Sequence, residues 1–207
     1  MIFSFNEAVF GDCLMVLLQN ASDQPEVKAV GNVVALYNAE GEVSGYNFFN
    51  IKKLVPSISG KKGQVFPTDS EIDQLNALLF DCGFTTLLDK AENRPHIVTG
   101  FVKTCVDHPD SDHLHITEVE VADGKVLQIV CGAPNIEAGQ TVVVATPGSM
   151  MPDGTCIWPG ELRGVPSSGM ICSAKELHLE NAPKERGILV LPKETQIGVP
   201  FTASMVG

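Results

Sequence analysis

The sequence contains no long hydrophobic run. Its most extended apolar stretches, such as Cys13 to Leu18, span six residues, whereas a helix that crosses a bilayer needs about 20. The N-terminal segment MIFSFNEAVFGD also lacks the basic stretch, sustained apolar run and small-residue cleavage site of a secretory signal. These absences predict a cytoplasmic protein that has no membrane partner.

The sequence also lacks any C-x-x-C pair. Its six cysteines are far apart and have mostly apolar neighbours: Cys13, Cys82, Cys105, Cys131, Cys156 and Cys172. This spacing fits neither a zinc ribbon nor a small disulfide scaffold. It favours buried, reduced thiols, because free cysteine behaves as a small hydrophobic residue.

Basic residues are scarce, and the net charge is −11. Residues 1–94 contain 7 Lys and Arg against 12 Asp and Glu, and residues 95–207 contain 7 against 13. Neither half has the basic surface typical of a tight, nonspecific nucleic-acid binder. A polyanionic partner would therefore have to meet a local patch.

The first part of the chain predicts a small α+β domain over residues 1–92. Residues 2–18 indicate two strands with a turn at Gly11-Asp12, and the β-prone stretches 27–37 and 43–51 flank a hairpin turn at residues 38–41. Residues 89–94 lose periodicity and gain charge, as a linker does.

One helix is predicted between these strands and the linker. Thr68 and Glu71 have the spacing of a capping box. Apolar residues then follow at helical spacing, and Gly83 ends the pattern. The apolar residues are Ile72, Leu75, Leu78 and Leu79.

Residues 95–207 predict a second, all-β domain. Alternating segments at 96–106 and 114–122, the latter with a bulge near Thr117, and the apolar run 141–145 indicate strands. A hairpin is expected around residues 155–164. Several short strands with little helix are typical of a closed or partly open barrel.

Four motifs occur in order within this second domain: HPDSDHL, IVCGAPN, LRG and S-x-G-M. Together they resemble the EMAP-like tRNA-binding domain, over about residues 95–202. That family is an OB-fold module, found in free-standing YtpR-type tRNA-binding proteins and as an insert in the β chain of phenylalanyl-tRNA synthetase. The resemblance implies an OB-fold barrel with short helices.

The resemblance also implies RNA contacts at the motif positions His113, Asn135, Arg163, Ser167 and Met170. Lys103 and Lys175 complete the predicted set of RNA-binding residues. The sequence departs from the family pattern at two of the motif positions. His113 replaces a lysine and is mostly neutral near pH 7, given a reference pKa of about 6.5. Ser168 replaces an acidic residue.

The function implied is binding of tRNA, or of another structured RNA, without catalysis and without a cofactor or metal. The second domain has only three aromatic residues, Phe101, Trp158 and Phe201. It therefore lacks the stacking platform that single-strand-binding OB-folds use, which favours recognition of a folded RNA by its backbone and shape.

Three other interpretations remain open at this stage. The first is a metalloenzyme, because one loop contains several imidazole and carboxylate side chains that could bind a metal: His108, Asp110, Asp112, His113 and His115. A nucleophilic enzyme would need an activating motif such as G-x-S-x-G, and the sequence has none. The acidic balance favours an interaction module that docks to an aminoacyl-tRNA synthetase, or to a second copy as a homodimer, with residual RNA affinity.

Two lysine pairs are the only basic clusters of the first half. They are Lys52-Lys53 and Lys61-Lys62. Either they extend an RNA-binding track or they form a solvated loop face, which is the ordinary behaviour of short charge runs.

Overall fold

The computed structural model describes residues 1–20 and 26–206. The chain divides into two compact units, Met1–Arg94 and Pro95–Gly207. The first combines one sheet with one long helix, and the second is built from strands and short helical turns. This architecture confirms the predicted α+β unit followed by an OB-fold barrel. Within the described ranges, every helix is too short or too polar to cross a bilayer.

The first unit is organised around one six-stranded antiparallel sheet. Its strands in chain order are β1 (Ile2–Asn6), β2 (Cys13–Leu17), β3 (Glu26–Val30), β4 (Val33–Tyr37), β5 (Val43–Phe49) and β6 (Lys62–Val65). They lie side by side in the order β3-β4-β5-β2-β1-β6. A four-residue helix, α1 (Glu7–Phe10), connects β1 to β2.

The second helix, α2 (Asp69–Asp81), packs its apolar side into the core of this unit. Both halves of the predicted capping box are present, since Thr68 Oγ1 accepts from the Glu71 N–H and the Glu71 carboxylate accepts from the Thr68 N–H. The helix ends before Gly83, which has a φ of 77°. The prediction of this helix is confirmed.

The predicted hairpin of the first unit forms around the expected turn, but the stretch that precedes this turn differs from the prediction. The turn over residues 38–41 joins β4 to β5 as expected, and Gly41 has a φ of 80°. The β-prone stretch 27–37 contains a second turn that was not predicted, because Gly31, with a φ of 57°, turns the chain back so that β3 pairs with β4.

Residues 95–206 of the second unit form ten strands. They are β7 (Ile97–Asp107), β8 (His115–Glu120), β9 (Val126–Cys131), β10 (Thr141–Ala145), β11 (Ser149–Met150), β12 (Cys156–Ile157), β13 (Gly160–Leu162), β14 (Val165–Ser167), β15 (Met170–Ile171) and β16 (Val190–Leu191). Five of them form a curved sheet in the order β15-β10-β7-β8-β9, and β16 also pairs with β10.

Strand β10 is buried along its whole length. Val142 and Val144 belong to one hydrophobic cluster, whereas Val143 and Ala145 belong to another. Since successive side chains of a strand point to opposite faces, both faces of β10 are covered.

The predicted bulge near Thr117 is wrong. The register of β7 against β8 shifts between Val102 and Thr104, so the extra residue is Lys103 on β7. Strand β8 keeps its alternation, with Thr117 and Val119 buried. The irregularity therefore falls on β7.

The single hairpin predicted at residues 155–164 is also wrong. Strand β12 pairs back with β11, and β13 pairs forward with β14. Arg163 and Gly164 connect β13 to β14 with φ values of 47° and 77°. Positive φ at both residues is typical of a two-residue hairpin turn.

Candidate nucleic-acid interface

The S-x-G-M motif brings β14 against β9 and thereby narrows the open side of the barrel. The Ser167 hydroxyl accepts from the Val130 N–H at 3.1 Å, and the Ser168 N–H donates to the Gln128 carbonyl at 2.8 Å. Ser167 is only 5% exposed. Its hydroxyl oxygen therefore already contributes to barrel closure.

Gly169 is required by this closure. It has a φ of 126°, and a Cβ atom placed there would lie 2.9 Å from the Ala145 carbonyl oxygen. Any side chain would push β15 away from β10. The next residue, Met170, pairs with Ala145 and is half-buried.

Asn135 of the GAPN motif holds a distant segment in place. Its amide nitrogen donates to the Ile188 carbonyl at 3.1 Å, and its amide oxygen accepts from the Ile188 N–H at 2.8 Å. This paired contact fixes the segment 183–189 beside the end of β9. In the structure Asn135 is thus a clamp between two stretches of backbone.

The clamped segment forms one wall of a groove of about 580 Å³, which we call the basic groove. Three exposed cations line it: Lys175, Lys184 and Arg186. Asn135 and Met170 line it as well. No side-chain hydrogen bond or ion pair to another described residue holds any of the three cations.

Two acidic residues, Glu176 and Glu185, also line the basic groove, and Glu176 is held by hydrogen bonds within the protein. The Glu176 carboxylate accepts from the N–H and the hydroxyl of Ser173, both at 2.7 Å. Glu185 is exposed. The Arg186 guanidinium lies close to Gly132 of the GAPN motif. A Cβ atom added to Gly132 would be 3.4 Å from Arg186 Nη2. With three cations against two carboxylates, the lining of the groove has a small excess of positive charge in an acidic unit.

A second site forms where HPDSDHL meets LRG. The His108 side chain is buried, its Nδ1 accepts from the Asp110 N–H at 3.1 Å, and its Nε2 lies 3.3 Å from the Leu162 carbonyl. These contacts assign the proton to Nε2. Arg163 Nη1 donates to the Asp110 carbonyl at 3.0 Å. The hairpin and the loop thus hold each other.

His113 lies exposed on the same loop. Its Nδ1 is 2.8 Å from the Asp112 carboxylate. This hydrogen bond holds the pKa of Asp112 below its ordinary value, and the charge of Arg163 acts in the same direction. The arrangement places Arg163 and His113 on one surface, but each already has a hydrogen-bond partner within the protein.

Lys103 lies elsewhere on the barrel. It is the bulge residue of β7 and forms a 3.4 Å ion pair with Glu120 of β8. The seven predicted residues therefore fall at three places. The basic groove contains Asn135, Met170 and Lys175, with Ser167 at the β14–β9 closure behind it.

Sequence reasoning missed Lys184 and Arg186. Both lie in the segment PKERG, which has no motif of its own. The only available signal was the closeness of two basic residues to each other, and that signal is common on solvated loops.

The three histidines in and beside the HPDSDHL loop, His108, His113 and His115, each have a polar contact within the protein. His115 Nε2 lies 3.5 Å from the Asp107 carboxylate, and His108 and His113 make the contacts given above. Across residues 1–20 and 26–206, no group of three or more His, Cys, Asp and Glu side chains is arranged to hold a metal ion.

The thiols of the second unit are held in the protonated state. Burial raises the pKa of Cys172 to about 12, and burial also raises the pKa values of Cys105, Cys131 and Cys156. A nucleophilic cysteine requires the opposite shift.

The second unit is thus an OB-fold barrel preceded by an α+β unit. Residues 97–200 match the family described as "Putative tRNA binding domain", and residues 20–90 match a "Domain of unknown function (DUF4479)". The chain is 41% identical over 199 residues to "Putative tRNA-binding protein YtpR" of Bacillus subtilis, covering 95% of this chain and 97% of that protein. The chain belongs to this tRNA-binding-domain family.

The barrel also matches part of a larger protein. It is 46% identical over 114 residues to the phenylalanine–tRNA ligase beta subunit of Lactiplantibacillus plantarum, and 50% identical over 113 residues to that of Oceanobacillus iheyensis. Each match covers 53% of this chain and 14% of the subunit.

Proposed function

We propose that the chain binds tRNA through its second unit and carries out no chemistry on it. The observation that carries this proposal is the basic groove, where Lys175, Lys184 and Arg186 line one concave surface and hold no partner among the described residues. Phosphate oxygens are natural ligands for such cations, and an arginine can donate two hydrogen bonds to one phosphate.

The groove favours recognition of the RNA backbone. Its polar side chains can contact phosphate and ribose without reading the bases. Met170 adds a soft apolar surface against which a sugar or base can pack. The scarcity of aromatic residues in the second unit supports recognition of a folded RNA rather than of an unstructured strand.

In this proposal, the predicted residues outside the groove either make further RNA contacts or hold the barrel strands in place. Arg163 and His113 provide a second contact, for which Arg163 keeps further N–H groups beyond the one that binds Asp110. Lys103 would have to leave Glu120 to bind phosphate. Ser167 acts by holding β14 in place. The absence of catalysis is supported by the raised thiol pKa values.

The groove is tested by replacing Lys184 and Arg186 together with alanine. We expect tRNA affinity to fall about tenfold, and the slope of log affinity against log salt to become shallower by about 1.4 to 1.8, because each of the two phosphate contacts contributes about 0.7 to 0.9. The measurement is a filter-binding titration between about 50 and 200 mM salt.

The matched control replaces Lys125 and Lys193, two exposed cations of the same unit that do not line the groove. It removes the same charge and should leave both affinity and salt slope near their original values. Equal losses in the two double variants, or no tRNA binding by the unaltered chain at low salt, would overturn the proposal.

A docking role is the second candidate function, and the net charge of −11 favours it. In this case the barrel would bind an aminoacyl-tRNA synthetase or a second copy of itself in the cytoplasm. A nuclease-treated pull-down that retains a synthetase, or a dimer seen by light scattering, with tRNA affinity unaffected by the groove variant, would support docking instead.

A further inference from the structure

The two lysine pairs of the first unit, separated by residues 54–60, both lie next to helix α1. Lys62, which begins β6, pairs with Asn6 at the end of β1. The chain continues from Asn6 directly into α1, where the Glu7 carboxylate forms an ion pair with Lys52. Lys53 and Lys61 are the sequence neighbours of Lys52 and Lys62.

This surface has more positive charge than its acids neutralise. Glu7 neutralises Lys52. The Asp12 carboxylate accepts the backbone N–H groups of Ile51 and Lys52, both at 3.0 Å. The remaining lysines, Lys53, Lys61 and Lys62, are exposed, and no described residue pairs with their ammonium groups. Four of the seven basic residues in residues 1–94 thus gather here.

Helix α1 adds an exposed apolar surface to these charges. Phe10 is 54% exposed and Val9 is 65% exposed, and α1 has no buried residue. Phe49 is 41% exposed and pairs in register with Cys13, shortly after α1. We call the surface formed by Val9, Phe10, Lys53, Lys61 and Lys62 the α1 patch.

We propose that the α1 patch is a second RNA-binding site, which contacts phosphates with its lysines and stacks an unpaired base on Phe10. This inference rests on the proposed function, since it assumes that the chain binds RNA. Charge complementarity selects a polyanion, and an exposed aromatic ring beside free cations is the combination that holds single-stranded nucleotides. A membrane surface fits less well, because interfacial helices bury a much longer apolar face than four residues provide.

The test uses the full chain with Lys61 and Lys62 both replaced by glutamate. The salt slope for tRNA should become shallower by about 1.5 to 2, and affinity near 0.1 M salt should fall about tenfold. The matched control replaces Lys28 and Lys90 with glutamate, which changes the net charge of the same unit equally. Those two side chains already contact Phe84 and Asp73, so their replacement should leave the slope nearly unchanged.

Phe10→Ala tests the stacking contact separately. It removes no charge, so the salt slope should stay the same while affinity falls about fivefold or more, in line with the ~1–3 kcal/mol of one stacked base. Photo-crosslinking with tRNA that contains 4-thiouridine should label the tryptic peptide of residues 1–28 in the unaltered chain and lose that label in Phe10→Ala.

The outcomes separate this inference from the proposed function. If the lysine variant and its control lower affinity equally while the groove variant still lowers affinity about tenfold, the α1 patch is not an RNA site and the groove proposal stands. If the lysine variant loses binding to phosphatidylserine vesicles but keeps its tRNA slope, the patch binds membranes and the inference is overturned. Absence of tRNA binding by the unaltered chain overturns both.

Discussion

Glu71 shows how much one buried carboxylate can depend on its hydrogen bonds. It is 5% exposed and accepts from the Ser57 N–H, the Ser57 hydroxyl and the Thr68 N–H at 2.6 to 2.8 Å. Burial pushes the pKa of Glu71 up, but these hydrogen bonds together outweigh burial and place the pKa below its ordinary value. The ionised side chain therefore stabilises the first unit.

We predict that Glu71→Gln lowers the free energy of unfolding by about 1 to 3 kcal/mol at pH 7, because hydrogen bonds to a charged group are lost. Since the pKa is lower in the folded chain, the ionised carboxylate stabilises the fold above pH about 4.5. That contribution declines as the pH falls toward the folded-state pKa. Urea unfolding followed from pH 7 downward should show the two proteins converging.

Asp69→Asn is the control for this prediction, because Asp69 is an exposed acid in the first turn of the same helix. Its loss should cost less than about 1 kcal/mol. A Glu71→Gln deficit that keeps its full size at acidic pH would show that packing, rather than the carboxylate charge, stabilises this helix.

At the scale of elements, the sequence predicts best what is decided locally. Helix α2 follows from Thr68, Glu71 and Gly83, all within one short stretch. The basic groove does not, because it depends on contacts such as that of Asn135 with Ile188, 53 residues away. The motif resemblance predicted an RNA contact at Asn135 but did not indicate its contact with Ile188, because a side-chain clamp on distant backbone leaves no periodic signal.

The strand errors have the same origin. A shift in register at Lys103 is visible only once β7 and β8 are paired. Likewise, β12 pairs with β11 rather than with β13, and strands of two or three residues are too short for a local pattern to indicate which neighbour they pair with. The series of short strands predicted a barrel, and the motif resemblance specified an OB-fold, because a family resemblance summarises long-range pairing that local propensity does not contain.

We predict that Asn135→Ala weakens RNA binding through the groove wall. It removes two hydrogen bonds to Ile188 and should cost about 1 to 3 kcal/mol of stability while allowing Lys184 and Arg186 to move. Gln140→Ala is the matched control, because Gln140 also makes two hydrogen bonds in this loop, to Glu137 and Asn135. Calorimetric unfolding and tRNA titration should show similar stability losses but an affinity loss in Asn135→Ala alone. Equal affinity losses would contradict the clamp.

At the scale of the whole molecule, each unit has its own hydrophobic core. The first centres on residues such as Phe3, Tyr46 and Leu75, and the second on residues such as Val102 and Val144. A separate core is the usual condition for independent folding.

We therefore expect a fragment of residues 95–207 to fold alone and to bind tRNA through the basic groove. If the α1 patch contributes in the full chain, the fragment should show a salt slope shallower by about 2 to 3, reflecting the lysines it has lost. Circular dichroism checks the fold and filter binding checks the slope. An unfolded fragment would show that the barrel needs the first unit.

The free cations of the basic groove also bear on how fast a complex forms. An incoming phosphate does not have to displace an internal carboxylate from Lys175, Lys184 or Arg186, so docking does not wait for side chains to rearrange. The net charge of −11 provides no long-range attraction, and at physiological salt charges are screened beyond about 8 Å. Association should therefore depend on short-range contacts at the groove itself, because the net charge does not steer an RNA toward it from a distance.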